Sequence, residues 1–283
     1  MILVNAEEQY SSGQSGFLQS HPDVTYFLLV IILGSIFFTP WILESSGFIG
    51  LGISIPFILL GGLTPTFGAL LAARLSHGPG GIRQLLSSFR RSGFPKIWLI
   101  VSFLLPVIIA LVSVFSWILL GGAYDFTSIG LAMFIPFLIQ SLIMNVWEEI
   151  GWRGFALPAL QRRYSALFSA FVIGIFWSLW HWPHLAVLDS HMLDNYGNVL
   201  IFIGVTITSS IVYTWLYNST KGNLAIPWLF HAMTNSIFPL FFYSGVSGLI
   251  APYMLLVFTI LAMALIIIYK PTTLSSSEKV LFE

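Results

Sequence analysis

Residues 97–124 read IWLIVSFLLPVIIALVSVFSWILLGGAY, a run with no charge between Lys96 and Asp125. A helix needs about 20 apolar residues to cross the roughly 30 Å hydrocarbon core of a bilayer, and this run is long enough. Inside lipid a span must satisfy its own backbone hydrogen bonds, which leaves helices and closed barrels. The run does not alternate apolar and polar residues as a barrel strand would, so it is a helix. The pattern repeats on both sides. Charge-free runs fill 24–43, 45–73, 126–147, 164–188 and 195–220, and one of 48 residues covers 222–269. The longest holds two crossings, with Ser244, Gly245, Ser247 and Gly248 as the turn between them. The chain is therefore expected to be an all-α, polytopic membrane protein with about eight transmembrane helices.

Composition agrees. Of 283 residues, 57% are hydrophobic and 8% charged, with a mean hydropathy of +0.90. A soluble domain carries about a quarter charged residues, so a surface this poor in charge needs lipid as its solvent. The net charge of zero gives no reason to expect a nucleic-acid partner. Cysteine is absent, which removes disulfides, thiolate chemistry and cysteine metal sites. Residues 1–23 are polar, carry Glu7 and Glu8 and contain no Lys or Arg. They lack the basic start and apolar run of a secretory signal and read as a polar tail. A single transmembrane domain over 24–270 and a C-terminal tail over 271–283 complete the chain.

Orientation follows from the basic residues, which concentrate in cytoplasmic loops. With the N-terminus inside, the inner segments are 74–96, 152–163, the neighbourhood of 221 and the tail. They hold Arg74, Arg83, Arg90, Arg91, Lys96, Arg153, Arg162, Arg163, Lys221, Lys270 and Lys279, which are all 11 bases of the chain. The outer loops hold Glu44, Asp125, Asp189 and Asp194. Both termini are thus expected in the cytoplasm, and the chain in the cell membrane. Residues 78–94 read as a short basic helix along the inner interface.

Ionisable groups inside lipid are costly and mark function by default. Glu148 and Glu149 end the fourth run, in Asn145-Val-Trp-Glu-Glu-Ile-Gly-Trp-Arg153. Residues four apart share a helix face, so Glu149 and Arg153 can pair, leaving Glu148 as a free carboxylate suited to general-base work. The plainer alternative has both glutamates capping the span. His181 sits among tryptophans in Trp177-Ser-Leu-Trp-His-Trp-Pro-His184, where a packing role is common. If the chain turns near Tyr164, Glu148 and His181 lie 16 and 17 residues from the turn, at similar depths. That requires the fourth helix to continue past Gly151 and Gly154, with a kink at Pro158. His231 and Asn235 are four apart in the seventh span and could face a developing oxyanion, or simply join two helices. Thr206, Thr208, Ser209 and Ser210 are candidates for a cavity lining or for helix packing. His184 is taken as structural, and His21, His77 and His191 as loop residues.

Taken together, these motifs resemble the CAAX protease and bacteriocin-processing (CPBP, or Abi) family of intramembrane glutamate proteases, which includes the type II CAAX prenyl endopeptidases of Ras-converting-enzyme type. EExxxR corresponds to Glu148, Glu149 and Arg153, FxxxH to Trp177 and His181 with Trp in place of Phe, and HxxxN to His231 and Asn235. The resemblance covers about residues 127–240, the expected protease core, with the site between spans four, five and seven. It implies an endopeptidase with no metal and no cofactor, in which Glu148 and His181 activate water and His231 and Asn235 stabilise the oxyanion. Glu149 and Arg153 fix the geometry, and Glu149 could share the base role. The implied partner is a peptide or protein at the membrane; a prenylated CAAX terminus is one candidate and would suit the cytoplasmic leaflet. Two other functions compete: a zinc metalloprotease, for which the usual HExxH helix is absent, and a non-proteolytic scaffold, immunity factor or transporter.

Overall fold

The computed structural model describes residues 20–187, 191–242 and 247–282, and among them it holds helices and no strand. The helices are α1 (Pro22–Ser45), α2 (Ser54–Gly62), α3 (Thr64–Ser87), α4 (Ile97–Leu119), α5 (Phe134–Glu149), α6 (Leu157–Gln161), α7 (Ala166–Trp180), α8 (Trp182–Ala186), α9 (His191–Tyr196), α10 (Val199–Ser219), α11 (Ala225–Phe242) and α12 (Ser247–Thr273). A π-helical segment, Ile150–Ala156, joins α5 to α6. The protein is an all-α polytopic membrane bundle. Among the described residues five helical stretches are long and apolar enough to cross a membrane, six if the bent pair formed by α2 and the helix after it is one span. α7 is shorter, at 15 residues, and α11 carries His231, Thr234, Asn235 and Ser236 among its apolar residues. Eight crossings thus remain a count from the sequence. Residues 1–19 of the expected N-terminal tail and the expected turn at Ser244 and Gly245 lie outside the described residues.

The long helices pack as a ring in the order α1, α3, α5, α11, α4, α12, α10, α7 and back to α1. Their outer faces are apolar. On α4, Ile100, Leu104, Ile108, Val112 and Phe115 form an exposed stripe about one turn apart, which fits a lipid-facing surface. α10 is the most enclosed span, with 56% of its apolar window buried against 33% or less for the other four.

Helix contacts depend on small residues, which let backbones approach where lipid gives no hydrophobic drive. A Cβ on Gly174 of α7 would lie 2.6 Å from the Ile207 Cα of α10. One on Gly151 would lie 2.6 Å from the Pro65 carbonyl of α3. Gly174→Ala should therefore force α7 off α10 and cost about 1–3 kcal/mol, the usual range for overpacking. Thermal unfolding in detergent would read this as a lower midpoint; an unchanged midpoint would contradict the close crossing.

The bundle has two distinct ends. At one, Asn223 Nδ2 donates to the Arg91 carbonyl, Arg163 pairs with Asp23 at 3.8 Å, and Lys279 Nζ donates to the Gln161 and Tyr164 carbonyls, both at 2.8 Å. Gln161 and Asn218 exchange side-chain amide bonds beneath them, and Phe282 is buried there against Phe155. At the other end the Tyr124 hydroxyl donates to the Phe241 carbonyl, and Trp117 packs on Tyr253. There the Thr127 hydroxyl and amide bond Asp125 and hold its carboxyl below the ordinary carboxylate range. The first end collects the basic residues.

Three local expectations need correction. The inner segment 152–163 is helical as far as Gln161, the fourth helix continuing past Gly151 and Gly154 as the depth of Glu148 required, so Arg153 is fully buried rather than cytoplasmic. The stretch just before Pro158 is π-helical, and Pro158 follows as the second residue of α6. The run 164–188 is not one helix: α7 stops at Trp180, and Pro183 restarts the chain as α8. His77 lies within α3, against Phe282, and not in a loop. Beyond a break at Gly78, whose φ of 63° favours glycine, the basic segment is helical to Ser87.

Candidate active site

The site grows from the point where α5 passes into the π segment. π-type turns rotate successive side chains differently from an α-helix and recur at functional sites. Here the change of helix leaves Glu149 and Arg153 facing the interior. Arg153 Nη1 donates to Glu149 Oε1 at 2.8 Å, and both side chains are wholly buried. The guanidinium lies over two rings, 4.0 Å from the Tyr213 centroid and 4.7 Å from that of Trp177, an arrangement that favours a cation. His231 Nδ1 donates to the same Glu149 oxygen at 2.9 Å. Glu149 therefore ties α5, the π segment and α11 together.

Glu148 points elsewhere, as the i, i+1 geometry requires. Its Oε2 accepts the indole N–H of Trp177 at 2.7 Å. It lines a cavity of about 120 Å³ together with His181, His231, Asn235, Thr206 and Ser209. Glu149 is not among the cavity residues. His181 ends α7 at the break before Pro183, so its ring stands at the helix terminus. Its Nδ1 donates to the Trp177 carbonyl at 2.8 Å, which leaves Nε2 as the acceptor of the ring. Asn235 Nδ2 donates to Asn145 Oδ1 at 3.2 Å.

The four expected site residues thus share one cavity, and the two supporting residues sit behind it as a buried pair. Of the four candidate lining hydroxyls on α10, Thr206 and Ser209 reach the cavity, whereas Thr208 bonds back to Gly204 and Ser210 is buried away from it. His184 packs between Phe38 and Trp41 of α1. Asn145, Tyr213 and the bonding role of Trp177 were missed by the sequence reading. Only Trp177 carried a signal, as the one departure from FxxxH.

That departure has a measurable consequence. Phenylalanine keeps the ring but cannot donate to Glu148, and a hydrogen bond to a charged group is worth about 1.5–3 kcal/mol. Trp177→Phe should therefore lower the midpoint of thermal unfolding in detergent, because the buried Glu148 carboxyl loses that donor. An unchanged midpoint would show that the indole N–H contributes nothing.

The fold and cavity define a class: a polytopic helical membrane protein with carboxylates and imidazoles gathered inside the bundle. Comparison with known proteins narrows this. Residues 128–237 match the family model described as type II CAAX prenyl endopeptidase Rce1-like. A CAAX prenyl protease 2 of Methanococcus maripaludis is 33% identical over 146 residues, 48% of this chain and 53% of that protein. The alignment thus spans about half the length of each. The resemblance first carried by the motifs is found again by these comparisons, and the matched segment holds all seven motif residues.

Proposed function

We propose that this chain is a metal-independent intramembrane endopeptidase acting on a peptide segment held at the membrane. The observation that carries the proposal is the convergence of Glu148, His181, His231 and Asn235 on one cavity inside the bundle. In this reading a water molecule sits between Glu148 and His181. His181 Nε2 accepts one of its hydrogens, and the Glu148 carboxylate takes the other as oxygen attacks the scissile carbonyl. Asn235 has a second amide N–H to offer the oxyanion. His231 already spends Nδ1–H on Glu149, so it donates through Nε2 only when the ring carries both protons. Glu149, shared with Arg153, is the anion that would hold that imidazolium. Collapse of the intermediate breaks the C–N bond, and the proton taken by Glu148 passes to the leaving nitrogen.

Both termini and the basic end are proposed to face the cytoplasm, in accord with the one-sided distribution of basic residues. The relative's name makes a prenylated CAAX peptide the first substrate to assay. Zinc has less support from the available donors: among the described residues no three His, Asp or Glu side chains gather as a metal site, whereas a catalytic zinc takes about three protein ligands.

The test is cleavage by the protein reconstituted in lipid vesicles, alongside Glu148→Ala and His181→Ala. Wild type should cleave, and both variants should lose activity by at least about a hundredfold. Strong chelation should leave the wild-type rate unchanged. Failure of wild type on every membrane-anchored peptide, or full activity in both variants, would end the protease reading. Loss of activity on chelation, restored by zinc, would replace it with the metalloprotease.

A further inference from the structure

At the basic end of the bundle two loops meet in a seam that holds cations and no acid. One is the connection from α3 to α4, residues 88–96; the other, residues 220–224, joins α10 to α11. Backbone ties hold them together. The Leu224 amide donates to the Ser88 carbonyl at 3.2 Å, and Asn223 Nδ2 donates to the carbonyls of Phe89 and Arg91. Across these ties the loops exchange basic side chains. Arg91 Nη1 donates to the Lys221 carbonyl at 3.4 Å, and Gly222 gives it room, since a Cβ there would collide with the guanidinium. Lys221 reaches the other way, its Nζ 3.4 Å from where a Cβ on Gly93 would stand. Lys221 itself sits at a φ of 54°, an uncommon conformation for a residue with a side chain.

The charges in the seam are uncompensated. Among the described residues no carboxylate lies within 4 Å of Arg90, Arg91, Lys96 or Lys221. The amides of Ser92, Gly93 and Phe94, next to the Lys221 ammonium, donate to no described group. Like charges held close by backbone ties repel one another, and an anion placed among them and the free N–H groups would be stabilising. The surroundings identify what carries that anion. α4 begins at Ile97, directly after Lys96, and Ile97 and Ile100 are each 53% exposed. They open the apolar stripe that continues along α4. The aromatic pairs Phe89–Trp228 and Trp98–Trp215 flank the loops, as rings do at a membrane interface. A phosphate in the seam thus has an apolar track leading from it, which suits acyl chains and offers nothing to a free ion.

We propose that the seam between Arg91 and Lys221 binds the phosphate of an anionic phospholipid, whose acyl chains run along the exposed face of α4 from Ile97 and Ile100. Basic pockets between membrane helices are suited to such headgroups, where charge attraction and apolar contact act on one molecule. None of the seam residues lines the catalytic cavity, so the site stands independently of the protease reading. It touches the cavity by one route. The loop 220–224 leads directly into α11, so a bound headgroup would brace the start of the helix that carries His231 and Asn235.

The test is binding of a fluorescent short-chain phosphatidylglycerol to the full chain in neutral detergent, beside phosphatidylcholine with the same chains. Wild type should prefer phosphatidylglycerol by about tenfold or more, since each base near an anionic lipid contributes about fivefold. For the same reason Arg91→Gln/Lys221→Gln should lose about tenfold or more of that binding. Arg74→Gln/Arg162→Gln removes the same charge elsewhere on the basic end and should bind as wild type does. Equal binding of the two lipids by wild type, or an equal loss in both double variants, would overturn the site and leave only a diffuse basic surface. Inorganic phosphate at millimolar concentration should not displace the bound lipid; displacement would assign the seam to a free anion instead. If the double variant at the seam does not accumulate, Lys221→Gln alone decides, because that exposed side chain has no hydrogen bond among the described residues. It should weaken phosphatidylglycerol binding by about threefold or more, and unchanged binding would overturn the proposal.

Discussion

Glu148→Gln should abolish peptide cleavage while leaving the bundle folded, the largest loss of activity expected from any single atom exchange in this chain. Glutamine has the shape of glutamate, and its carbonyl oxygen can still accept the Trp177 indole N–H that now bonds Glu148 at 2.7 Å. Packing around the cavity is therefore preserved. What disappears is the capacity to take a proton from water, and general-base assistance contributes about 10²–10⁴-fold. The rate should fall by about that factor, with KM and the thermal midpoint near their wild-type values. His181→Ala should lose nearly as much. If both groups act on one water, the double variant should be little worse than either single one, since residues acting as a unit are strongly non-additive. A Glu148→Gln protein that keeps more than a tenth of wild-type kcat would remove Glu148 from the base role. Fully additive losses would instead show that Glu148 and His181 serve separate steps.

The sequence and the structure agree where the physics is local and differ where it is tertiary. Lys96 and Asp125 bracket a span because charges avoid lipid, and no neighbour is needed to know that. The clustering of bases at one end is likewise a property of the chain order, and the contacts among Arg91, Asn223, Lys279 and Tyr164 gather those segments in space. The i, i+4 spacing of Glu149 and Arg153 was enough to pair them, and the pair forms. The partner of His231 was not legible. Which glutamate meets α11 depends on how the helix winds after Glu149, and hydropathy does not distinguish a π turn from an α turn. The same limit led Arg153 to be counted with the loops. Pro183 did carry a helix-breaking signal beside His181, but a continuous apolar run outweighed it. The break matters because it puts the His181 ring at a helix end beside the cavity.

Counting residues along straight spans would place His231 shallower in the membrane than Glu148, and the winding of the helices accounts for the difference. α11 starts at Ala225 after Asn223, whose Oδ1 accepts from the Ala225 amide at 2.9 Å, so His231 does sit near the basic end of its helix. It meets Glu149, the glutamate behind the cavity, while Asn235 one turn further on reaches Asn145. Two residues of one motif thus contact different turns of α5.

Arg153→Met is the substitution with the largest expected effect on folding. Methionine approximates the length of the arginine stem but leaves Glu149 with only His231 as a partner, in a position no solvent reaches. Removing one member of a buried ion pair costs about 3–5 kcal/mol, because the other charge stays buried and uncompensated. The loss of the guanidinium from between the Tyr213 and Trp177 rings adds to this. The variant should unfold at a clearly lower temperature in detergent, or fail to accumulate in the membrane. The informative comparison is with the double variant Glu149→Gln/Arg153→Met. Neutralising both members removes the stranded charge, and well-packed neutral replacements of buried pairs are often as stable as the original. The double variant should therefore recover most of the lost stability, yet remain inactive, because the Nδ1–H of His231 would no longer have the Glu149 carboxylate as its partner. A single variant as stable as wild type would mean that the pair contributes little to the fold. A double variant that is stable and cleaves at the wild-type rate would show that Glu149 has no part in preparing His231 for the oxyanion.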